Sequence, residues 1–447
     1  MRPIRHPRHR VVWVLALVAA GLQLQAHEPE TLSEIRSSES TDVTPSLPGA
    51  STPQLDGITL FPDGLDLERS LLEFHDRRLW KLFFHGYARA TYSDNIFIQH
   101  ENAEEDLIFK IAPGITVGYG DLHRGAFDLK TFREGSETSR SEIPEEMNFL
   151  FVRYVPSYTA FLDHTSENTL DHDAALEGSY QRQKLKAGVK LHFQTLNLPE
   201  IDLGERIKQK RFTGQVTTEY DYSDKSTLEL NGHAFTRDYD EQVHINEYRA
   251  QTWLNHLVHP KTNVSAGLTY GRVDVSSGPG ENYEQLLLRT RYRPSQNLQL
   301  NATTGVEYRQ IEGVADQTNA VFSAGGSYQP VEGTLLHIQT YRRSQTSPAR
   351  GGWSYMATGL DLRWHQRFLQ RYHFGLSGGY QWADYNVDAT TGSEREDDIL
   401  YLRPSLGFDL TKSLSAELGA EYRENSSSAE SHSFAEASAY LQVNVLF

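Results

Sequence analysis

From Trp80 to the carboxyl terminus, apolar and polar residues alternate with a period of two, the spacing at which a strand turns successive side chains to opposite faces. In "NLQLNATTGVEYR" the residues Leu298, Leu300, Ala302, Val306 and Tyr308 share one face, and Gln299, Asn301, Thr303, Glu307 and Arg309 share the other. "SLSAELGAEYR" repeats the pattern, with Leu414, Ala416, Leu418, Ala420 and Tyr422 set against Ser415, Glu417, Glu421 and Arg423. The last ten residues, "SAYLQVNVLF", place Ala439, Leu441, Val443, Val445 and Phe447 on one face and then stop. Counting such segments predicts about 18 strands, from 80–93 to 434–447, with 184–196 and 211–222 joined by a charged loop; 16 is the alternative.

The connections alternate in length as well. Tight turns such as "YSDKS", "HPKT", "RPSQN" and "LTKS" take turns with longer acidic or glycine-rich loops such as "SSGPGEN" and "DATTGSERED". A soluble sandwich has no reason to sort its short turns to one end of a sheet. A transmembrane up-and-down barrel does, with short periplasmic turns, long outer loops, an apolar outside and a polar inside. Tyr222, Tyr292, Tyr328, Trp364 and Phe408 beside the short turns, and Tyr308, Tyr380, Trp382 and Tyr422 towards the loops, fit two interfacial girdles. The fold class expected is therefore all-β, an antiparallel outer-membrane β-barrel over 79–447, with the apolar face of the last strand turned to lipid and that strand paired to the first. Segment 121–146, whose "AFDLKTF" alternates, is read as an elaborated periplasmic connection or an extra hairpin, because one more strand would invert every later one.

The amino terminus supports export. Residues 1–26 carry Arg2, Arg5, Arg8 and Arg10, then the apolar "VVWVLALVAAGL", then "LQLQA", the three-part layout of a secretory signal cleaved after Ala26. That apolar run is shorter than the roughly 20 residues a spanning helix needs. Residues 27–78 read as an exported periplasmic leader, rich in Ser, Thr and Pro to position 62, with a short amphipathic helix plausible at 65–78. No cysteine is present, which excludes a disulfide framework and cysteine-ligated zinc. Without the signal, 39 basic side chains face 59 acidic ones, a balance of −20 that disfavours nucleic acid as a partner.

"ARATYSDNIFIQHENAEEDLIFKIAPGITVGYGD", Ala88 to Asp121, resembles the opening hairpin of a family of bacterial outer-membrane β-barrel porins linked with exopolysaccharide production. The likeness rests on Asp94, Asn95, Ile96 and Phe97 at the end of the first strand and on Asp106, Pro113 and Gly114 in the second. A second likeness is "LGERIKQKRFTGQVTTEYDYSDKSTLELNGHAFTRDY", Leu203 to Tyr239. The resemblance implies an outer-membrane barrel and leaves its cargo open, a small solute or an exported polysaccharide. Phe447 likewise resembles the aromatic terminal signal read by barrel-assembly machinery, an expected partner alongside outer-membrane lipid.

A barrel of this size leaves an aqueous lumen, so a porin-like channel is the expected function. The inward face would carry Lys184, Lys186, Lys190, Arg289, Arg291, Arg293, Arg343, Arg363 and Arg403, a ladder that could favour anions. It would also carry Glu177, Glu219, Asp221, Glu229, Glu307, Asp361, Asp409, Glu417 and Glu421, so cross-strand ion pairing competes with that reading. A barrel-embedded hydrolase needs a Ser-His pair on the outer face, and the outward positions offer none at a plausible register. Asp171, His172 and Asp173 could hold a metal but read as solvated, and "GYGDLHRG" lacks the strand-to-helix setting of a phosphate cradle. A non-transporting barrel, serving as an adhesin or a secretion component, is the remaining class. No catalytic residue, metal or cofactor is expected.

Overall fold

The computed structural model describes residues 80–120, 148–240, 243–276, 278–313, 315–348, 354–385 and 395–446. The expected signal, leader and helix, segment 121–146 and Phe447 lie outside the described residues.

Eighteen strands follow in chain order. They are β1 (Trp80–Ser93), β2 (Asp106–Gly120), β3 (Phe149–Phe161), β4 (Thr169–Arg182), β5 (Leu185–Glu200), β6 (Glu205–Ser223), β7 (Ser226–Tyr239), β8 (His244–His259) and β9 (Thr262–Val275). The second half comprises β10 (Glu281–Ser295), β11 (Leu298–Ile311), β12 (Gln317–Tyr328), β13 (Thr334–Thr346), β14 (Ser354–Phe368), β15 (Tyr372–Tyr385), β16 (Arg395–Thr411), β17 (Leu414–Ser427) and β18 (Phe434–Leu446). Each pairs antiparallel with its sequence neighbours, and β18 returns to β1 over His85↔Leu446 to Ser93↔Ser438. Closure removes the sheet edge, where every unpaired backbone group in hydrocarbon would cost several kcal/mol.

Side-chain parity holds around the ring. On β10, Leu286 and Leu288 are 62% and 58% exposed, whereas Leu287 and Arg289 between and after them are fully buried. On β18, Leu441 and Val443 face out, and Gln442 and Asn444 are buried inside. The exposed outer face is a band of Leu, Val, Ile and Phe edged by Tyr222, Tyr292 and Tyr328 at the turn end and Tyr308, Trp382 and Tyr422 at the loop end. Such a face is insoluble in water and matched to lipid, so the chain is an outer-membrane β-barrel.

Two departures from the regular wall shape the interior. The first is the β5–β6 hairpin, which the sequence reading ends at 196 and resumes at 211. The strands instead stay paired to Glu200↔Glu205. Pairing with β4 stops at Asp173↔Gln194 and pairing with β7 stops at Gln209↔Tyr239, so residues 195–208 leave both flanking ladders. The second is between β12 and β13, which pair only from Phe322↔Arg342 to Tyr328↔Leu336. Above that point the β13–β14 end leans inward: the Ser344 hydroxyl meets Glu307 Oε1 at 2.5 Å, and Ser354 meets Glu281 Oε2 at 2.5 Å.

Candidate functional site

The inward wall is built from a repeated three-layer unit. Five inward aromatic residues each sit directly across the ladder from a glycine: Trp253↔Gly267, Tyr283↔Gly271, Tyr341↔Gly359, Tyr401↔Gly379 and Tyr440↔Gly419. The rings lie where a side chain would stand; a Cβ on Gly267 would be 2.4 Å from Trp253 Cε3. Over each ring lies an arginine guanidinium: Arg289 on Trp253 at 4.0 Å, Arg309 on Tyr283 at 4.7 Å, Arg343 on Tyr341 at 4.4 Å, Arg403 on Tyr401 at 5.2 Å and Arg89 on Tyr440 at 4.3 Å. Glycine permits the close approach, the ring fills it, and the ring face attracts the cation. Parity alone put Arg289, Arg309, Arg343 and Arg403 inside; the glycines lie on other strands, as do the rings under Arg289, Arg309 and Arg89, and they emerge only with the register.

Part of the basic lining is also neutralised. Arg289 Nη2 donates to Glu229 Oε2 at 2.8 Å and to Asn255 Oδ1 at 2.7 Å. Arg403 bonds Glu421 at 2.7 Å, Arg309 bridges Glu281 and Glu307, Arg423 meets Glu436, and Arg153 and His192 share Asp173. Arg291 and Arg293 follow Arg289 on the inward face, and Lys186 and Lys190 line β5. Arg363, in the middle of β14, has no carboxylate within ion-pair distance among the described residues, and its neighbours across the ladder are His337 and Ser377. Lys184 is not in the wall at all. It lies in the exposed turn between β4 and β5, whose two residues are consumed in reversing the chain.

Two further readings change. Asp171 and Asp173 point inward, but His172 points outward and meets the Tyr154 hydroxyl through Nδ1 at 2.8 Å, so the three cannot converge on one ion. The outer face does carry a Ser-His pair: Ser226 and His256 are cross-strand neighbours at the turn end, with Oγ and Nδ1 2.8 Å apart. No described residue bonds the other ring nitrogen of His256, so the pair lacks the orienting group that hydrolysis needs.

The loop end of the lumen is barred by the β5–β6 hairpin. Asn197, Glu200, Ile201, Asp202 and Ile207 are all buried, although no wall strand flanks them. One side of the hairpin packs on its own half of the barrel, where Ile207 joins Tyr239, Ile245, Val273 and Tyr283. There Glu200 accepts from the Tyr239 hydroxyl at 3.2 Å. The tip reaches the opposite half, roughly nine strands round the ring of eighteen. Ile201 packs with Ile98, Ile399, Tyr401 and Phe434. The Asp202 carboxyl accepts from the Tyr385 hydroxyl, and its carbonyl accepts from Arg395 Nη1 at 3.1 Å. Burial, aided by the carboxylates of Glu200 and Asp397, pushes the Asp202 carboxyl up to about 7, against the opposing pull of Arg395 and a Ser347 hydrogen bond. Burying Ile201 and Ile207 alone holds the hairpin down by roughly 1.5–3 kcal/mol each.

The residues that carry the family likeness hold the first strands and the loops at the mouth together. Asp94 Oδ1 accepts from Ala437 N at 2.7 Å, stitching β1 to β18 at the loop end. Asn95 donates to the carbonyls of Gln99 and Ala435 and accepts from Gln99 N, folding 94–105 over the mouth. Pro113 pairs with Gly86 in the ladder, and Gly114 leaves room for the His85 ring, which would stand 2.1 Å from a Cβ there. Asp106 gathers the β3–β4 connection, accepting from the backbone of Leu162, Asp163 and His164. Arg206, within the hairpin, donates to the carbonyls of Ile96 and Asn197, tying the bar to the first loop.

No family model and no curated protein matches the sequence. Among solved structures, the chain resembles Pseudomonas aeruginosa OpdK, crystallised with vanillate, at 11% identity and a TM-score of 0.42, over 82% of this chain and 99% of that one. It resembles P. aeruginosa OpdQ at 10% identity and a TM-score of 0.44, over 83% of this chain and 99% of that one. It resembles Acinetobacter baumannii OccAB3 at 9% identity and a TM-score of 0.43, over 82% of this chain and 99% of that one.

Proposed function

We propose that the protein is a gated outer-membrane channel for small polar solutes, with the β5–β6 hairpin as the gate. The observation that carries this reading is the hairpin itself. An 18-stranded ring is too wide for its own wall side chains to fill, and a structural plug could be built from any loop. Here the bar is the free end of two wall strands, attached on one side and held on the other by a few contacts, which is the arrangement of a hinged flap. The ionic and aromatic wall beneath it suits a hydrated, hydrogen-bonding solute, and Arg363 gives that path an unpaired cation. Small solutes are proposed rather than a polysaccharide, because the likeness to exopolysaccharide-linked porins rests on residues engaged in holding the wall and its first loops. Outer-membrane lipid and the barrel-assembly machinery, the latter through Phe447, are the proposed partners.

The test is conductance in planar bilayers. Replacing residues 197–208 by Asn-Gly joins Leu196 to Gln209, which already face each other across the hairpin. The shortened channel is expected to conduct continuously with a several-fold larger unitary step, and Arg363→Gln in that background to lower its anion preference. A shortened protein that keeps its heat-sensitive gel mobility, and so its barrel, yet passes no current would overturn the reading.

A further inference from the structure

At its tip the hairpin meets the far wall through a carboxyl group with almost no access to water. Asp202 is 2% exposed. It sits at the turn of the flap, between Ile201 and Leu203, so it crosses from lumen water to the opposite wall whenever the flap closes. The groups around it come from every element it touches. β15 gives the Tyr385 hydroxyl, and the β13–β14 connection gives Ser347. β14 gives Tyr355, close enough to couple electrostatically to Asp202. β16 gives Arg395 and Asp397, and the flap's own strand gives Glu200. The one strong cation, Arg395, is already committed: its Nε lies 2.9 Å from Asp397 Oδ1 and its Nη2 2.5 Å from Asp397 Oδ2. Towards Asp202 it offers a hydrogen bond to the backbone carbonyl. Glu200 is engaged with Tyr239 and lies 3.9 Å from Arg237. The site thus supplies hydroxyl donors, two neighbouring carboxylates and one cation already paired with Asp397, a setting that favours a neutral carboxyl over an ionised one.

We propose that Asp202 is a proton-operated latch: a protonated carboxyl seats the flap against β15 and β16, and ionisation releases it into the lumen. This rests on the reading of the hairpin as a gate and adds what operates it. The direction follows from linkage. In the closed state burial raises this group, whereas in the open state it stands in water as an ordinary aspartate, so opening releases a proton. Stabilisation of the closed state is complete below about pH 4, the ordinary aspartate value, and is lost as pH rises towards 7. Within that window the open-to-closed ratio rises up to about tenfold per pH unit. His432 lies against Gly204, two residues along the flap from Asp202, and is the imidazole that the test must separate from it.

The experiment is single-channel recording of the full-length protein in planar bilayers from pH 4 to pH 8.5, alongside Asp202→Asn, His432→Gln and the 197–208 replacement. The expected result is a wild-type open probability that climbs with pH and levels off near 7. Asp202→Asn, which cannot ionise, should stay closed to pH 8.5, His432→Gln should titrate like wild type, and the shortened channel should stay open throughout. A wild type that opens and closes independently of pH, or an Asp202→Asn protein with the wild-type pH profile, overturns the latch while leaving the gate. Loss of pH dependence in His432→Gln would move the switch to that imidazole and also overturn it. A shortened protein without conductance overturns the channel reading itself.

Discussion

The three-layer wall makes a quantitative prediction at Gly267. A Cβ there would lie 2.4, 2.6 and 2.7 Å from three atoms of the Trp253 ring, so Gly267→Ala must displace the indole by about 1 Å to reach ordinary contact. Overpacking of this kind costs about 1–3 kcal/mol. The displaced ring also moves away from the Arg289 guanidinium 4.0 Å above it, forfeiting part of a buried cation–π interaction of about 0.5–2 kcal/mol. The expected destabilisation is therefore about 2–4 kcal/mol. In a Trp253→Ala background the obstacle is gone, and Gly267→Ala should be neutral or slightly stabilising, because alanine loses less backbone entropy than glycine in a strand. The assay is a double-mutant cycle of urea unfolding in lipid vesicles, followed by tryptophan fluorescence at the remaining tryptophans and by gel mobility. A coupling energy indistinguishable from zero, or an equal cost in both backgrounds, would refute the stacking argument.

Other expectations test the exterior, the loops and the chain end. Leu268, 64% exposed on the lipid face of β9, should cost about 2–4 kcal/mol as Arg if it lies near the bilayer midplane, measured by the same unfolding assay; a neutral result would place it outside the hydrocarbon. His164 is raised above the ordinary histidine value by hydrogen bonds to Asp106 and Glu104, so its imidazolium ties down the β3–β4 connection below pH 6.5 and lets go as pH rises through its elevated midpoint. Ring-proton NMR should find that midpoint above 6.5 in wild type and lowered in Glu104→Gln. Deleting Phe447 should reduce assembled barrel in cells far more than it lowers the stability of barrel refolded in detergent; equal effects on both would argue against a terminal recognition signal.

Much of the architecture is local and therefore legible in the chain. Parity depends only on successive residues, so Leu286, Arg289, Leu441 and Gln442 were assignable to a face before any partner strand was known. Strand number, alternating connections and the β1–β18 closure follow from the same signal, since a lipid-facing strand cannot remain an edge. Lys184 failed because a turn boundary shifted by one residue moves a side chain out of the wall. Ser226 and His256 went unnoticed because they meet across a ladder 30 residues apart in sequence.

The flap was illegible for a stronger reason. "IDLGERIKQKR" is rich in charge and reads as a solvated loop, and nothing within it states that Ile201, Asp202 and Ile207 will be buried. The burial of Ile201 and Asp202 is supplied by Ile399, Tyr401, Phe434 and Tyr385, on strands some 200 residues later that the closed ring brings to the opposite side. Sequence by itself determined which face of each strand meets lipid, because that choice is made residue by residue. Only the tertiary structure decided what fills the lumen and which carboxyl is shut away from water, because those depend on ring closure placing distant strands across one narrow space.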